Sequence, residues 1–494
     1  MDRNMKKICI LGSGVSGSIL ASELSKKNHV TIIDCDSLDK PFNANFNLNK
    51  ISDVILEKHV GYGFGGTTNL WHGVLTHLDI EDKKVIDELT ESNTSYELDK
   101  FSDKLEKYFG KLSFLKHGEL KFNKLSDFIS IKSLIPKRYV HMVRPSRFRE
   151  IINLLKIRKK IDTIENAVAI SLHVNNASNA VKHVVVMQNN KKIHVSADIF
   201  ILAMGGLESP RILLQSFEDT YHHNSIIGIG LTDHPHMTIG NLVIPRRIFY
   251  TQHGTRSLLK TKWKIIRSTL FSNSSRVGYR IPNKYRRSEE YNHSIYIRPT
   301  LIKNIDLVRN DIRTLIRHKS SFKLFLKILT RPSLLLSAFV LLSERFGFGV
   351  YTNLFNIHMH LEQNAKEKSS VSLSCKKDQY DRRIPKIYTD FSVDLFRDVL
   401  HMQEFLRKIT ISPAVFNKDT IEKNKIESGC HFSGTCRLGA KKNDSVVDKN
   451  LKYHSLENLF ICDGSIIPKI GNSNLALTIA CFALRLSDYL DRNI

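Results

Sequence analysis

The fold of this 494-residue chain is decided by the stretch Lys7-ICILGSGVSGSILASEL-Ser25 and the segment His29-VTIIDC-Asp36 that follows it. In the first stretch an apolar run ends at the turn Gly12-Ser13-Gly14-Val15-Ser16-Gly17, where a helical pattern begins. A second apolar run then ends at Asp34. This order of strand, glycine turn, helix and strand predicts a βαβ unit of a parallel sheet.

The three glycines of this turn have different structural tasks. Gly12 permits the tight turn, Gly14 lets the backbone approach a pyrophosphate, and Gly17 lets the helix pack closely on the strand. The helix N-terminus offers free N–H groups to phosphates, and Asp34, 22 residues after Gly12, can accept from a ribose hydroxyl. The alternative is a tight turn in an ordinary α/β protein. The residues predicted to bind a dinucleotide are Gly12, Ser13, Gly14, Ser16, Gly17 and Asp34.

Composition and charge restrict the class of protein. The hydrophobic (41%) and charged (25%) fractions are typical of a soluble globular protein, and the length suffices for two or more domains. The chain has 74 Lys and Arg residues against 49 Asp and Glu residues, which gives a net charge of +25. This favours an anionic partner, either an acidic substrate, a membrane surface or nucleic acid; scattered, solvated lysines are the alternative. Because no aromatic–basic nucleic-acid module occurs, we expect no nucleic-acid partner.

The seven cysteines indicate a reducing compartment and no metal site. Their number is odd and no C-x-x-C pair occurs, which argues against a zinc site or a thioredoxin-like motif. The first strand begins within ten residues, which leaves no room for a signal peptide. No apolar run has the length of a membrane-spanning helix. We therefore expect a cytoplasmic protein.

A second glycine-rich stretch, Val60-GYGFGGTTNLWHGV-Leu75, predicts backbone that lies against a flat or charged ligand. Residues 84–145 have a charged helical pattern, and residues 146–160 have that of a basic helix. Short alternating strands are predicted at Ala167–Val174 and His183–Gln188.

The second half of the chain changes character twice. Ala197-DIFILAMGGLESPRILLQS predicts a strand that returns to the parallel sheet, with a helix that starts near Ser209-Pro210. Asp233-His234-Pro235 predicts a turn. From about 240 to 425 alternating segments predict an antiparallel sheet, which is the candidate substrate domain. Residues 430–494 return to loop, strand and helix.

Four separated blocks now resemble one family. They are LGSGVSG (11–17), GFGGTTNLWHG (63–73), ILAMGGLESPRILL with GIGLTDHP (201–235), and CHFSGTCRLG with the segment from Asn458 to Leu490. In this order they are similar to the glucose–methanol–choline oxidoreductases, FAD-dependent enzymes that oxidise alcohols. The resemblance is much weaker from 240 to 350.

The resemblance implies an α/β fold with a Rossmann-type, discontinuous FAD-binding domain and an antiparallel-sheet substrate domain of α+β type. The FAD-binding domain would comprise residues 1–85, 145–240 and 425–494. Residues 86–144 would form a helical connection or lid, and residues 241–424 would form the substrate-binding domain.

The resemblance also implies the catalytic residues. Oxidation of an alcohol needs a base for the hydroxyl proton and a polar group that holds the oxygen, while a flavin takes the hydride. The family's base corresponds to His431 in His431-FSGTCRLG, and its partner corresponds to Asn474, with Asn472 as a nearby competitor. The family's usual proline after this asparagine is Leu475 here. A packed, hydrogen-bonded histidine is the alternative for His431.

The remaining cofactor contacts follow from the same resemblance. The loop before Leu70 would wrap the isoalloxazine, and the loop after the last strand would meet the ribityl–pyrophosphate region. We expect noncovalent FAD, because Asn69 and Leu70 occupy the family's covalent position and only His72 offers an alternative. The additional cofactor-binding residues are Gly65, Gly66, Thr67, Asn69, Asp463, Gly464 and Asn474.

The segment 309–342 combines basic residues with an apolar run of ten residues, Ser333 to Leu342. The run is too short to span a bilayer. It is consistent with a core helix or lid, and also with peripheral contact to an anionic membrane.

The sequence thus predicts an FAD-dependent alcohol oxidase or dehydrogenase that acts on CH–OH groups of a small-molecule alcohol, with sugars and polyols as the substrate class. Oxygen, a quinone and a protein are all open as electron acceptor. The alternatives are redox-neutral lyase-type chemistry on the same fold, or a membrane-associated oxidoreductase of a lipid-linked or anionic substrate. A third alternative is a basic binding protein with a vestigial flavin site.

Overall fold

The computed structural model describes residues 5–35, 61–71, 73–76, 78–91, 100–110, 124–141, 147–175, 177–250, 274–288, 291–301, 330, 335–336, 339–340, 350–363, 369–389, 393–421 and 426–493. The α-helices in this part of the chain are α1 (Val15–Leu24), α2 (Ile80–Thr90), α3 (Ser102–Phe109), α4 (Arg147–Ile157), α5 (Gly205–Phe217), α6 (Val393–Ile409) and α7 (Ala476–Asn493). The strands are β1 (Lys7–Leu11), β2 (His29–Ile33), β3 (Val74–Leu75), β4 (Ile135–His141), β5 (Asp162–Ile164), β6 (Ala167–Asn175), β7 (Ala180–Gln188), β8 (Lys191–Val195), β9 (Ile199–Leu202), β10 (His236–Tyr250), β11 (Ser274–Arg280), β12 (Ser294–Thr300), β13 (Val350–His360), β14 (Ser370–Lys377), β15 (Arg383–Tyr388), β16 (Val415–Lys418) and β17 (Leu459–Ile461).

A five-stranded parallel sheet has the order β17-β9-β1-β2-β5. Strand β1 pairs with β2 through Ile10↔Ile32 and with β9 through Ile10↔Ile201, all in parallel register. Strands β1 and β9 are buried apolar runs almost throughout, as expected for the central strands of a parallel sheet with both faces covered. The predicted βαβ unit and the predicted return of the 197–216 segment to the same sheet are both confirmed.

A seven-stranded sheet with the order β16-β10-β13-β12-β11-β4-β3 lies in a second hydrophobic core. Its pairings are antiparallel, as predicted for the region after residue 240. The helical prediction for 84–145 is confirmed for α2 and α3 but is wrong for β4. Strand β4 was missed because Lys137 and Tyr139, which share one face, are both buried. A lysine at a core position conceals the alternation of polar and apolar residues.

Helix α5 begins at Gly205, earlier than the predicted start near Ser209-Pro210. Pro210 lies inside the helix and has no N–H to donate to the carbonyl oxygen of Gly206. The Thr435 hydroxyl donates to that oxygen instead, at 2.8 Å. A distant side chain therefore lets the helix tolerate its proline.

The strands predicted near 167–174 and 183–188 are confirmed as β6 and β7 of a three-stranded antiparallel sheet with β8. The basic helix predicted at 146–160 is confirmed as α4. His72 and nearly all of the segment 309–342 lie outside the described residues. Within the described ranges, no helix is long and apolar enough to cross a membrane.

Candidate active site

The first glycine turn leaves open space at one position only. Gly12 has a φ of +95° and its N–H donates to the Ile33 carbonyl at 3.0 Å. A Cβ atom on Gly17 would lie 2.0 Å from the Gly12 carbonyl oxygen, so close helix packing requires glycine there. A Cβ atom on Gly14 would meet no heavy atom within 4 Å. The turn is therefore packed against the protein on one side and open at Gly14.

The second glycine loop lies directly against the first turn. The Gly65 N–H donates to the Ser13 hydroxyl at 3.1 Å, and the Ser13 N–H donates to Asp34 Oδ2 at 2.8 Å. A Cβ atom on Gly66 would approach the Gly14 Cα to 3.4 Å. These hydrogen bonds bring three predicted cofactor segments together, although part of the Asp34 carboxylate holds Ser13.

Two other predicted residues of this loop stabilise its own shape. The Asn69 amide donates to the Phe64 carbonyl at 2.9 Å, and the Thr67 hydroxyl accepts from the Gly61 N–H at 3.3 Å. The loop ends in the short 3-10 helix Gly66–Asn69. Their side chains thus fix the backbone that would meet a ligand. Ser16 is buried in the first turn of α1.

Asp463 links the end of β17 to the start of α5. Its Oδ2 accepts from the Gly205 N–H at 2.9 Å and from the Ser209 hydroxyl at 2.6 Å, and its Oδ1 accepts from the Ser465 N–H at 2.8 Å. A Cβ atom on Gly205 would also meet no atom within 4 Å. Gly464 follows, and a Cβ atom there would lie 3.0 Å from the Phe432 carbonyl oxygen.

These open positions fit a dinucleotide. Gly14 and Gly205 each precede or begin a helix, so the open space beside them lies at the positive end of a helix dipole. A side chain would fill this space, but the bare backbone leaves it free. The chemistry of the segments therefore suits a pyrophosphate, as the sequence predicts.

The predicted catalytic side chains face each other. Asn474 Nδ2 lies 3.4 Å from His431 Nε2, and both residues are half-buried. The competing residue Asn472 is 1% exposed, and its amide is fully engaged in another buried network. The structure therefore pairs His431 with Asn474 and turns Asn472 away from it.

Asp233, which the sequence placed only in a turn, anchors the histidine loop. Its Oδ1 accepts from the backbone N–H groups of His431, at 3.0 Å, and of His234, at 2.8 Å. Its Oδ2 accepts from the Ser428 hydroxyl and from the Cys430 N–H. Burial raises the pKa of this carboxyl, but His234, Ser428 and the His431 amide together hold it below its ordinary value. Asp233 is thus a buried anion beneath His431.

Further histidines surround the pair. The His234 ring centroid lies 4.2 Å from that of His431 and 5.9 Å from that of His360, and His236 lies 5.5 Å from His360. Burial first, and then the neighbouring imidazoles, lower the pKa values of His431 and His360 below the ordinary 6.5. The imidazoles of His431 and His360 are therefore neutral at pH 7.

The sequence predicts no metal site, and one group in the described part of the chain has the spacing for one. Asp233, His234 and His431 each place a ligating atom within 4.8 Å of the others. Both carboxylate oxygens of Asp233 already accept two hydrogen bonds. This favours a structural role for the carboxylate.

Sequence reasoning missed Asp233, His234 and His360 as parts of the site. Asp233 and His234 lie in the block GIGLTDHP, which could have pointed to the site. The contacts that make Asp233 a buried anion, however, come from residues 428–431. His360 ends β13, and its neighbour His236 begins β10; the two pair across the sheet.

Comparison with known proteins agrees with these features. Residues 358–483, which include His431 and Asn474, match the model of the GMC oxidoreductase family. Paromamine 6'-oxidase of Streptomyces fradiae is 30% identical over 104 residues, which are 21% of this chain and 19% of that protein. The 2-methyl-1,2-propanediol dehydrogenase of Mycolicibacterium austroafricanum is 41% identical over 64 residues, 13% of this chain and 12% of that protein. The matched segment thus spans less than a fifth of each relative's length.

The whole fold is similar to a solved structure. Pyridoxine 4-oxidase from Mesorbium loti superimposes with a TM-score of 0.61 at 16% identity, over 99% of this chain and all of that one. Fold and site define a mixed α/β protein with a glycine-lined cradle beside a half-buried His–Asn pair. Residues 358–483 are thus similar to the GMC oxidoreductase family, and the fold around them is similar to that of the pyridoxine 4-oxidase.

Proposed function

We propose that the protein is an FAD-dependent oxidoreductase that oxidises the CH–OH group of a small-molecule alcohol, with sugars and polyols as the substrate class. The observation that carries this proposal is the half-buried His431–Asn474 pair, in which the two polar groups lie 3.4 Å apart. The names of the two curated relatives, a paromamine 6'-oxidase and a propanediol dehydrogenase, support an alcohol substrate.

His431 is the base in this proposal. Burial keeps its imidazole neutral at pH 7, so the lone pair of Nε2 is available for the hydroxyl proton, and the charge of Asp233 raises the pKa of the ring. Asn474 donates from Nδ2 to the substrate oxygen and orients it toward the base. Asp233 stabilises the positive charge that His431 gains, because its carboxylate lies beneath the same loop.

FAD is held noncovalently by a Rossmann-type domain in this proposal. The pyrophosphate would lie against the open backbone at Gly14, and the loop Gly65–Asn69 would hold the isoalloxazine. Asp463 would fix the segment near the ribityl chain. The bound flavin supplies the hydride acceptor. Noncovalent binding is supported by Asn69 and Leu70, which occupy the position where some members of the resembled family carry a histidine bound covalently to FAD.

Anaerobic mixing with a panel of alcohols and sugars tests the proposal. We expect the flavin absorbance to bleach with at least one member. In His431→Ala the flavin should stay bound, and its reduction should slow by about 10²- to 10⁴-fold. Asn474→Ala should lose less, because Asn474 orients the substrate and does not accept the proton.

His222→Ala is a matched control. His222 is also buried, at 2% exposure, but packs against Phe217 and Tyr221 away from the proposed site. Its flavin should be reduced at the wild-type rate. Wild-type reduction in His431→Ala would contradict the assigned base. A panel that never bleaches the flavin would refute alcohol oxidation and favour redox-neutral chemistry.

A further inference from the structure

A buried lysine with no part in the proposed mechanism lies on strand β4. The Lys137 side chain is only 5% exposed. Its Nζ donates to Asp79 Oδ2 at 3.0 Å, to Asn472 Oδ1 at 2.7 Å and to the Ser473 hydroxyl at 2.6 Å. An ammonium group has three donors, so these acceptors satisfy it completely. Lys137 therefore has one allowed position.

The lysine also fixes the orientation of the Asn472 amide. While Oδ1 of this amide accepts from Lys137, its Nδ2 donates to the Asn292 carbonyl and lies 3.3 Å from Asp79 Oδ2. A flipped amide would place its NH₂ group against the ammonium and its oxygen against the carboxylate. The charges of Lys137 and Asp79 thus exclude the alternative orientation.

Asn472 and Ser473, which Lys137 binds, directly precede Asn474 in the chain. Asn472 and Ser473 are 1% and 0% exposed, and Leu475, on the other side of Asn474, is 4% exposed. Asn474 itself is half-buried and faces His431. Since both neighbours are packed, the direction of the Asn474 side chain depends on where the 472–473 backbone is held.

Asp79 connects the same network to the proposed flavin loop. It directly precedes α2 and follows the segment that carries Gly65–Asn69 and β3. It also lies 3.3 Å from Arg280 of β11. One buried cluster therefore joins the antiparallel sheet, the segment after the second glycine loop and the loop that carries Asn474.

We propose that Lys137 is a positioning residue for the reaction, which acts through Asn472 and Ser473 to hold Asn474 against His431. This inference rests on the proposed function. Removing one partner of a buried ion pair leaves an uncompensated charge and lowers stability, so the test must measure the reaction as well as the free energy of unfolding.

The test compares limiting rates of flavin reduction per bound flavin, under anaerobic conditions, with the alcohol that bleaches the wild type. Lys137→Met keeps the length of the side chain and removes its donors. We expect a loss of about 10- to 10²-fold, the size expected for a misplacement of about 1 Å. Ser473→Ala removes one acceptor of three and should cause a smaller loss of the same kind. It keeps the test decisive should Lys137→Met fail to fold.

Each variant is then combined with Asn474→Ala. If Lys137 acts through Asn474, the loss caused by Lys137→Met should disappear in that background, because coupled residues are not additive. A merely structural role would give the same loss in both backgrounds.

Arg211→Met is the matched control. Arg211 and its partner Asp378 form an ion pair of similar burial, 2% and 7% exposed, between α5 and the segment before β15. We expect lower thermal stability but a limiting rate within about twofold of the wild type, additive with Asn474→Ala.

Equal losses from Lys137→Met with and without Asn474, or no loss at all, would overturn the inference. A wild-type flavin that no alcohol reduces would instead refute the proposed function and, with it, the role given to Lys137.

Discussion

Replacing Gly14 by alanine separates what the ligand requires from what the fold requires. Gly14 precedes α1 with φ −63° and ψ −157°, an extended conformation with negative φ. A Cβ atom there would meet nothing within 4 Å. The apoprotein therefore has no steric need for glycine at this position. Any cost of the added methyl group must come from a molecule that binds beside it.

Two small terms of opposite sign act on the apoprotein. Replacing glycine by alanine stabilises a chain by about 0.4–1 kcal/mol through its unfolded state. Alanine is a poorer N-cap residue than glycine, by about 0.5 kcal/mol. The free energy of unfolding should thus stay within about 1 kcal/mol of the wild-type value. Overfilling a close-packed site costs about 1–3 kcal/mol, which weakens FAD binding by about 5- to 150-fold.

The assay is titration of apoprotein with FAD, followed by quenching of flavin fluorescence, together with thermal unfolding of both apoproteins. Gly17→Ala is the control, because its Cβ atom would lie 2.0 Å from the Gly12 carbonyl oxygen and must disrupt the βαβ unit itself. Gly17→Ala should lose stability without any flavin present, whereas Gly14→Ala should lose only affinity. Wild-type FAD affinity in Gly14→Ala would show that no pyrophosphate lies against this turn.

Three further predictions concern acid, the cofactor and membranes. Burial lowers the pKa of His293 and His360 below 6.5, so near and below that pH the unfolded chain binds more protons than the folded chain. The free energy of unfolding, measured by urea titration, should therefore fall from pH 7.5 to pH 5.5. Equal values at the two pH values would contradict this. Denaturation should release FAD into the supernatant, whereas flavin that precipitates with the protein would implicate His72. If segment 309–342 contacts membranes, the protein should sediment with anionic but not neutral liposomes, and high salt should weaken this. That binding should be lost in a variant with glutamate at Lys319, Lys323 and Lys327, and equal sedimentation of both proteins would remove the idea.

Features that depend on local sequence could be predicted. The turn Gly12–Gly17 needs only its own residues and the two flanking strands, so the βαβ unit and the open position at Gly14 followed from spacing. His431 and Asn474 were found through their motifs, and the structure brings their side chains together. Their roles remain a proposal.

Features that depend on distant partners could not be predicted. Lys137 gives the sequence of β4 the pattern of a charged helical segment. Its burial in a strand could not be predicted, because its acceptors come from residues 79, 472 and 473. The early start of α5 depends on Thr435, which supplies the hydrogen bond that Pro210 lacks. Asp233 became part of the site only through its contacts with residues 428–431. In each case, the deciding interaction joins residues far apart in the chain.

The two members of the proposed catalytic pair are held by buried charges of opposite sign. Asp233 fixes the loop of His431, and Lys137 fixes the loop of Asn474. The signs suit the chemistry, because His431 gains positive charge when it takes a proton, and an anion beneath it stabilises that state. Lys137 binds Asn472 and Ser473 rather than His431, and its positive charge lowers the pKa of the neighbouring His234. At His431 itself the carboxylate of Asp233 raises the pKa of the imidazole. The anion that fixes the loop of His431 therefore also favours the proton transfer.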